Sequence, residues 1–376
     1  MVPMNPNYKP QTVQEYNLTL SRELPWHTGF QLSYIGNHSY NLLNIDPQNY
    51  IIPRDDCPAQ GLPVNCIAAQ RRAYPVFATS TATTGASEYD YIGYANTNEL
   101  QAQITHTFGN GLLLQSYFTW QRTLTTSETG NGGGTPFSGN TGATTIIPAA
   151  LTPGYSLANP LTSGEPLSQR LRAVYAPDPT LPAKTFQVNG HYQLPFGKGQ
   201  RFLGNSHGIV NAVVSGYNIS AFFLWHSGFF FSPYFTQFSA GTQGPGGRGI
   251  RLAPGKTGIL PESQRTAKHW FDYQVPWDPN SGTPYAGQTY ELTATANQGD
   301  FRNNIPLNYM TGPGFNNMDA NIYKLTPIWR NLVLDFEAQI FNVYNHQNLA
   351  MPNKTGVITT AIGTPRTIQL QAKFIF

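Results

Sequence analysis

Cys57 and Cys66 are the two thiols of the 376-residue chain. In an oxidising compartment so close a pair makes a loop-stapling disulfide. Free thiols are the plain alternative. A metal site needs further ligands, and the nearest histidine is His38. The 8 histidines are scattered without HxH or HxxxH spacing, so no metal or other cofactor is expected. No Gly-x-Ser-x-Gly elbow, phosphate-binding loop or dinucleotide fingerprint occurs. The glycine clusters at 130–134 and 244–247 do not join a strand to a helix and read as loops. Asp55–Asp56 and Glu88/Asp90 are carboxylates brought close by adjacency, with no acid–base partner in the pattern. Catalysis, as in a barrel hydrolase, is therefore the weakest functional class, and no enzyme is expected. Aromatic rings crowd residues 228–314: Phe229 to Phe231, Tyr234, Phe235, Trp270, Phe271, Tyr273, Trp277, Tyr285 and Tyr290. Aromatic faces stack on sugars and cyclic ligands, which makes Trp270, Phe271, Trp277 and Tyr285 candidate ligand contacts. The plain alternative is that these rings pack the loop against its neighbours.

The elements that would position these residues are strands. Charged residues make up 11% of the chain and aromatic residues 13%, with 36 Gly and 30 Pro. Ordinary soluble domains carry roughly 25% charged residues. Lys+Arg 22 against Asp+Glu 19 leaves +3, no electrostatic footprint for nucleic acid. No apolar run approaches the ~18 residues of a membrane helix. Apolar and polar residues instead alternate with period two. Tyr16, Leu18 and Leu20 alternate with Glu15, Asn17 and Thr19. Leu334, Phe336, Ala338 and Ile340 alternate with Asp335, Glu337 and Gln339. Ile368, Leu370, Ala372 and Phe374 alternate with Gln369, Gln371 and Lys373. The pattern predicts nine strands, near 12–24, 28–37, 94–108, 112–124, 184–194, 216–227, 315–325, 331–344 and 364–376.

Several of these strands have the length that a tilted membrane strand needs, about 9 to 11 residues or more, against about 5 or 6 for soluble strands. Trp26, Phe108, Phe196 and Trp329 gather at one set of strand ends. Tyr34, Trp120, Trp225 and Tyr344 gather at the other, as in the two aromatic girdles of a membrane barrel. Short connections at 25–27, 109–111 and 326–330 alternate with long ones at 38–93, 125–183, 228–314 and 345–363. Outer-membrane barrels have short periplasmic turns and long extracellular loops. The expected fold is therefore all-β, an antiparallel transmembrane β-barrel with long extracellular loops, in the cell outer membrane. A soluble β-sandwich is the alternative. Asp335, Glu337, Gln339, Gln369, Gln371 and Lys373 would line the lumen, with Asp335 opposite Lys373.

Four stretches resemble the barrel of TonB-dependent outer-membrane receptors, in particular the Oar-like, Acidobacteria-type branch. They are Gln14 to Leu18 with Arg22-Glu23-Leu24-Pro25, Tyr34-Ile35-Gly36-Asn37-His38, and Leu194-Pro195-Phe196-Gly197-Lys198-Gly199. The fourth is the closing set: Gly312 to Asp319, Phe341 to His346, and the terminal Phe376. The resemblance implies energy-coupled uptake of a bulky ligand, with carbohydrate and peptide as the candidate classes. It also implies outer-membrane lipid, the outer-membrane assembly machinery and the TonB complex as partners. Phe374 and Phe376 would be the assembly signal. A surface barrel for adhesion or interaction, without transport, is the alternative. Full members carry a regulatory-like domain, a plug and about 22 barrel strands. Met1 to Gln11 lacks the features of a signal peptide. Residues 1–376 are therefore expected to be the C-terminal part of such a barrel, without signal peptide, regulatory-like domain or plug. Such a fragment would be inactive alone, reaching TonB only through the missing N-terminal part. Its sheet should be open, with the first long loops poorly packed.

Overall fold

The computed structural model describes residues 6–7, 9–67, 69–75, 87–108, 111–126, 144–232, 250–292, 305–329, 332–353 and 355–376. The glycine clusters at 130–134 and 244–247, together with Tyr234 and Phe235, lie outside them. Nine long strands follow one another along one antiparallel path. They are β1 (Thr12–Leu24), β2 (Thr28–Pro47), β3 (Ser87–Phe108), β4 (Leu112–Thr125), β5 (Lys184–Gln193), β6 (Tyr217–His226), β7 (Phe315–Trp329), β8 (Leu332–Phe341) and β9 (Thr367–Ile375). Each strand pairs with its sequence neighbour, and β1 and β9 end the path. The sheet is a barrel wall left unclosed.

The register explains why alternation makes this wall. Leu20, Leu32, Ala102, Phe118, Phe186 and Trp225 are successive cross-strand partners. One position away, Ser33, Gln101, Thr119 and Thr185 form the parallel polar row. Side chains alternate between sheet faces, so a row keeps one character only if register holds across every pair. At the far end Leu334 opposes Phe374, Phe336 opposes Ala372 and Asp335 opposes Lys373. The expected Asp335–Lys373 alignment is the observed one.

Tight turns join the strands at one end. Pro25 to His27 close the first hairpin, with Trp26 and His27 at φ 62° and 55°. The turn between β5 and β6 is longer and holds a short helix, α2 (Gly208–Val214). At the other end β2 and β3 run beyond the expected bounds, to Pro47 and from Ser87. The register shifts around Asn41, which sits at φ 58°, and pairing then resumes from Leu43 opposite Tyr91. A bulge of this kind bends a strand without ending it. His38 to Tyr40 still pair in the unshifted register, and the alternation breaks after them, so the upper part of β2 escaped a reading by period.

The hydrophobic core sits in the long loops and not between layers of the sheet. One cluster draws Tyr50, Ile52, Cys57 and Cys66 from the loop after β2. It draws Ile146, Leu151, Tyr155, Leu171 and Val174 from the loop after β4, and Leu307 from that after β6. Helix α1 (Leu167–Arg172) contributes Leu171 to it. The expectation that the first long loops pack poorly is thus overturned: Cys57, Cys66 and Ile146 are 0% exposed. Apolar side chains from three loops bury one another, which no single loop read alone discloses.

Candidate functional site

Two regions carry the residues singled out by sequence. On the sheet, Asp335, Glu337, Gln339, Gln369, Gln371 and Lys373 lie on the face opposite Phe336 and Leu370. They form three facing pairs: Asp335–Lys373, Glu337–Gln371 and Gln339–Gln369. Gln339 Nε2 donates to Glu337 Oε2 at 3.1 Å. The same polar face continues inward along the sheet. Asn321 faces Gln339 and Ser220, and Ser220 faces His191, whose Nδ1 lies 3.1 Å from the Ser220 hydroxyl. His191 also stacks on Tyr323. The result is a run of hydrogen-bonding groups from Gln369 to His191, ending at Leu113, on a face that also carries Glu15, Glu99 and Asp319 on other strands.

The long loops form the second region. Cys57 and Cys66 are joined by a disulfide with Cα atoms 6.5 Å apart. It closes two short 3₁₀ turns, Arg54–Asp56 and Pro58–Gln60. Gln60 ties this loop to the next: its Nε2 donates to the Tyr155 carbonyl at 2.8 Å, and its Oε1 accepts from Leu157 N–H at 3.0 Å. Beneath them Arg170 forms a buried ion pair with Asp46, and its Nε donates to the Ile147 carbonyl at 2.8 Å. Arg71 and Arg72 donate to the carbonyls of Ile52 and Asn49. Burial lowers the pKa of both guanidinium groups, and neighbouring Arg54 and Arg72 add to the effect at Arg71. Burial also pushes the Tyr155 phenol up to about 12. A cavity of about 470 Å³ opens between these loops, lined by Asp46, Tyr50, Tyr155, Thr162, Glu165 and Arg170. Sequence reasoning missed this arginine-rich assembly. Asp46 and Arg170 lie 124 positions apart, and neither sits in a motif.

The four aromatic candidates do not act alike. Phe271 is 2% exposed and packs against Phe231 and Tyr273. Trp270 lies under the Arg265 guanidinium and donates from Nε1 to the Thr311 carbonyl. Trp277 and Tyr285 meet edge to face at 5.5 Å, and Tyr285 is 44% exposed, so this pair is the part of the set open to a ligand. Below them Tyr290 is fully buried, and burial drives its phenol and that of Tyr309 far upward. At the chain end Phe374 lies on the apolar face opposite Leu334. Phe376 lies beyond the last ladder pair and is 93% exposed. Among the described residues, no group of three or more His, Cys, Asp or Glu could hold a metal ion.

A family model described as an outer membrane beta barrel domain matches residues 1–369. The chain belongs to the outer membrane beta barrel domain family. The location of this barrel domain is accordingly the outer membrane. The solved structures that it resembles include the outer membrane transporter YddB from Escherichia coli, at 9% identity and TM-score 0.45, covering 98% of the barrel domain and 33% of that chain. They include the ferric-catecholate import receptor Fiu from E. coli K12, at 12% identity and TM-score 0.39, covering 98% and 28%. FpvA of P. aeruginosa in complex with a ferric pyoverdine matches at 10% and 0.40, covering 97% and 27%. The barrel domain therefore spans about a third or less of the length of these structures. No curated protein matches it.

Proposed function

We propose that residues 1–376 are the C-terminal part of the barrel of an Oar-like TonB-dependent receptor, which takes up a bulky carbohydrate or peptide. The observation that carries this reading is the two-faced sheet. Nine strands on one path keep apolar rows on one face and hydrogen-bonding rows on the other, while β1 and β9 remain the open ends. Polar rows of Gln, Asn, Ser and Thr suit the wall of a wide aqueous lumen, where a plug and a passing ligand exchange hydrogen bonds with water. Asp335, Glu337, Gln339, Gln369, Gln371 and Lys373 line that lumen in this reading. The exposed Tyr285, backed edge to face by the half-buried Trp277, offers aromatic surface to the ligand outside. Phe374 and Phe376 serve the outer-membrane assembly machinery, and the TonB complex acts through a plug outside this segment. The segment alone does not transport, because unpaired backbone groups at β1 and β9 cost several kcal/mol each in lipid.

The test compares three strains: one producing the receptor, one lacking its gene and one lacking TonB. Each is offered fluorescent oligosaccharides and peptides. Accumulation of one class in the first strain, lost in the other two, is the expected result. Uptake unchanged by loss of the gene overturns the proposal, and a loss of surface attachment alone would instead identify an adhesion barrel. Stable single-channel conductance and heat-modifiable migration of the isolated 376-residue chain would overturn the reading as a segment.

A further inference from the structure

The β5–β6 turn departs from the other short turns. It contains α2, and the side chains of Ile209, Val210 and Val213 are 83%, 56% and 59% exposed. At 100° per residue these three share one face of the helix. The opposite face is held by the protein. Asn211 Oδ1 accepts from the backbone N–H of Lys198 at 2.6 Å and from the Ser206 hydroxyl at 3.1 Å, which fixes the polar side against the turn.

A second set of contacts locates the helix. Lys324 belongs to an apolar-face row, paired with Tyr217 on one side and Phe336 on the other. Its ammonium lies 4.2 Å from the Tyr217 ring centroid and donates to the carbonyls of Val213 and Ser215, at 2.7 and 2.9 Å. The C-terminal end of α2 is thereby clamped to the apolar surface of the wall, and not to the polar face. The chain returns to β6 through Gly216 at φ +79°, where a Cβ would sit 2.6 Å from the Leu325 carbonyl oxygen. An ammonium on a lipid-facing row needs such partners, because charge in the membrane is tolerated where backbone carbonyls or the interface receive it.

We infer that α2 and the turn before it form an in-plane anchor in the periplasmic leaflet, seated at the boundary between phospholipid headgroups and acyl chains. The exposed face of α2 continues the apolar band of the sheet. Phe202 and Leu203 on the same turn, and Trp329 at the neighbouring rim, are 48%, 55% and 68% exposed. With about 1.5 Å of rise per residue the helix is about 10 Å long, too short to cross a bilayer but suited to lie along its surface. Residues 194–216 contain Lys198, Arg201 and His207 and no acidic residue, and the Arg201 guanidinium lies over the Phe202 ring. Basic groups beside apolar ones match anionic phosphate headgroups above an acyl interior.

Both cysteines are consumed by the disulfide, so single added cysteines can be spin-labelled selectively. Labels at Ile209→Cys, Val210→Cys and Val213→Cys are read in outer membranes isolated from cells producing the protein. Collision with oxygen is compared with collision with a water-soluble nickel chelate. Leu334→Cys on the apolar face is the lipid reference, and Asn159→Cys in an extracellular loop is the water reference. The expected result is an oxygen-to-nickel ratio at all three helix positions several-fold above that at Asn159→Cys and close to that at Leu334→Cys. Water-like ratios at Val210→Cys and Val213→Cys, with a lipid-like Leu334→Cys, overturn the anchor while leaving the barrel standing. Labels shielded from both reagents show a protein partner on this face and overturn it as well. A water-like Leu334→Cys overturns the membrane placement of the wall and the anchor together.

Discussion

The wall and the loop assembly solve the same problem in opposite ways. Every residue of β9 is exposed, and in β1 every one after Thr12. Each of these end strands is held by ladder bonds to a single neighbour, with its outer edge open, and its side chains find their surroundings outside the protein. The loops have little regular structure, yet they bury Ile52, Ile146, Val174 and a disulfide almost completely. Without ladders, the loop backbone turns to side chains: Asn44, Asn49, Arg71 and Arg72 all donate to loop or strand-end carbonyls. Buried carbonyls need such partners. One region thus relies on lipid and register, and the other on an ordinary water-excluding core with charges inside it.

Several changes would test that division. The largest effect is expected from Arg170→Met, which leaves Asp46 buried without its partner. Breaking a buried pair in this way costs about 3–5 kcal/mol. Trypsin added to intact cells should then cut the loops, while the outer-membrane level of the protein stays near normal. An equal fall in membrane level would show that wall and loops are one cooperative unit. Next comes Leu370→Arg, an arginine on the lipid face near mid-strand, which should destabilise the wall by about 2–4 kcal/mol. Gln371→Arg, one position away on the polar face, should cost far less. Urea unfolding in vesicles separates the two, and equal costs would reverse the assignment of faces. Cys57→Ser should cost the loops about 2–3 kcal/mol, as expected for opening a short cross-linked loop. It should raise loop proteolysis and leave wall unfolding unchanged.

Alkaline pH should distinguish the two regions as well. The Tyr155 phenol is held at about 12 by burial, above its ordinary 10.0. A folded value above the unfolded one means that the neutral phenol favours folding. This contribution is fully present below pH 10 and is lost as pH rises toward 12. Tyrosinate absorbance of Tyr155→Phe should lack one late-titrating phenol, and if every late phenol remains, Tyr155 is not the buried group. The smallest effect concerns Asp335 and Lys373. A double-mutant cycle with Asp335→Asn and Lys373→Gln should give a coupling of roughly 0.2–1 kcal/mol, and zero coupling would show the pair fully screened by water.

The wall was legible in the residues because its information is local. A strand with lipid on one side and water on the other must alternate, and Leu334 to Ile340 shows that alternation without any partner in view. The same pattern limits the β8–β9 register to even slips, since a slip by one residue would turn every apolar side chain to the polar face; the choice of Asp335 opposite Lys373 came from the assumed ends of the connecting loop. The disulfide pairing could be read from two cysteines nine positions apart, which left no third thiol to compete. Three other features depended on the folded chain. The Asp46–Arg170 pair joins residues 124 positions apart. The upper part of β2 continues past a bulge, where it gains β3 on one edge and the short strand Thr144–Thr145 on the other. Helix α2 takes its position from a lysine more than a hundred residues away. None of these carries a period, because each is set by whichever loop or strand the closing wall brings alongside. Local alternation therefore determined the strands and their faces, while the loop core and the seat of α2 were decided by contacts that exist only once the sheet has formed.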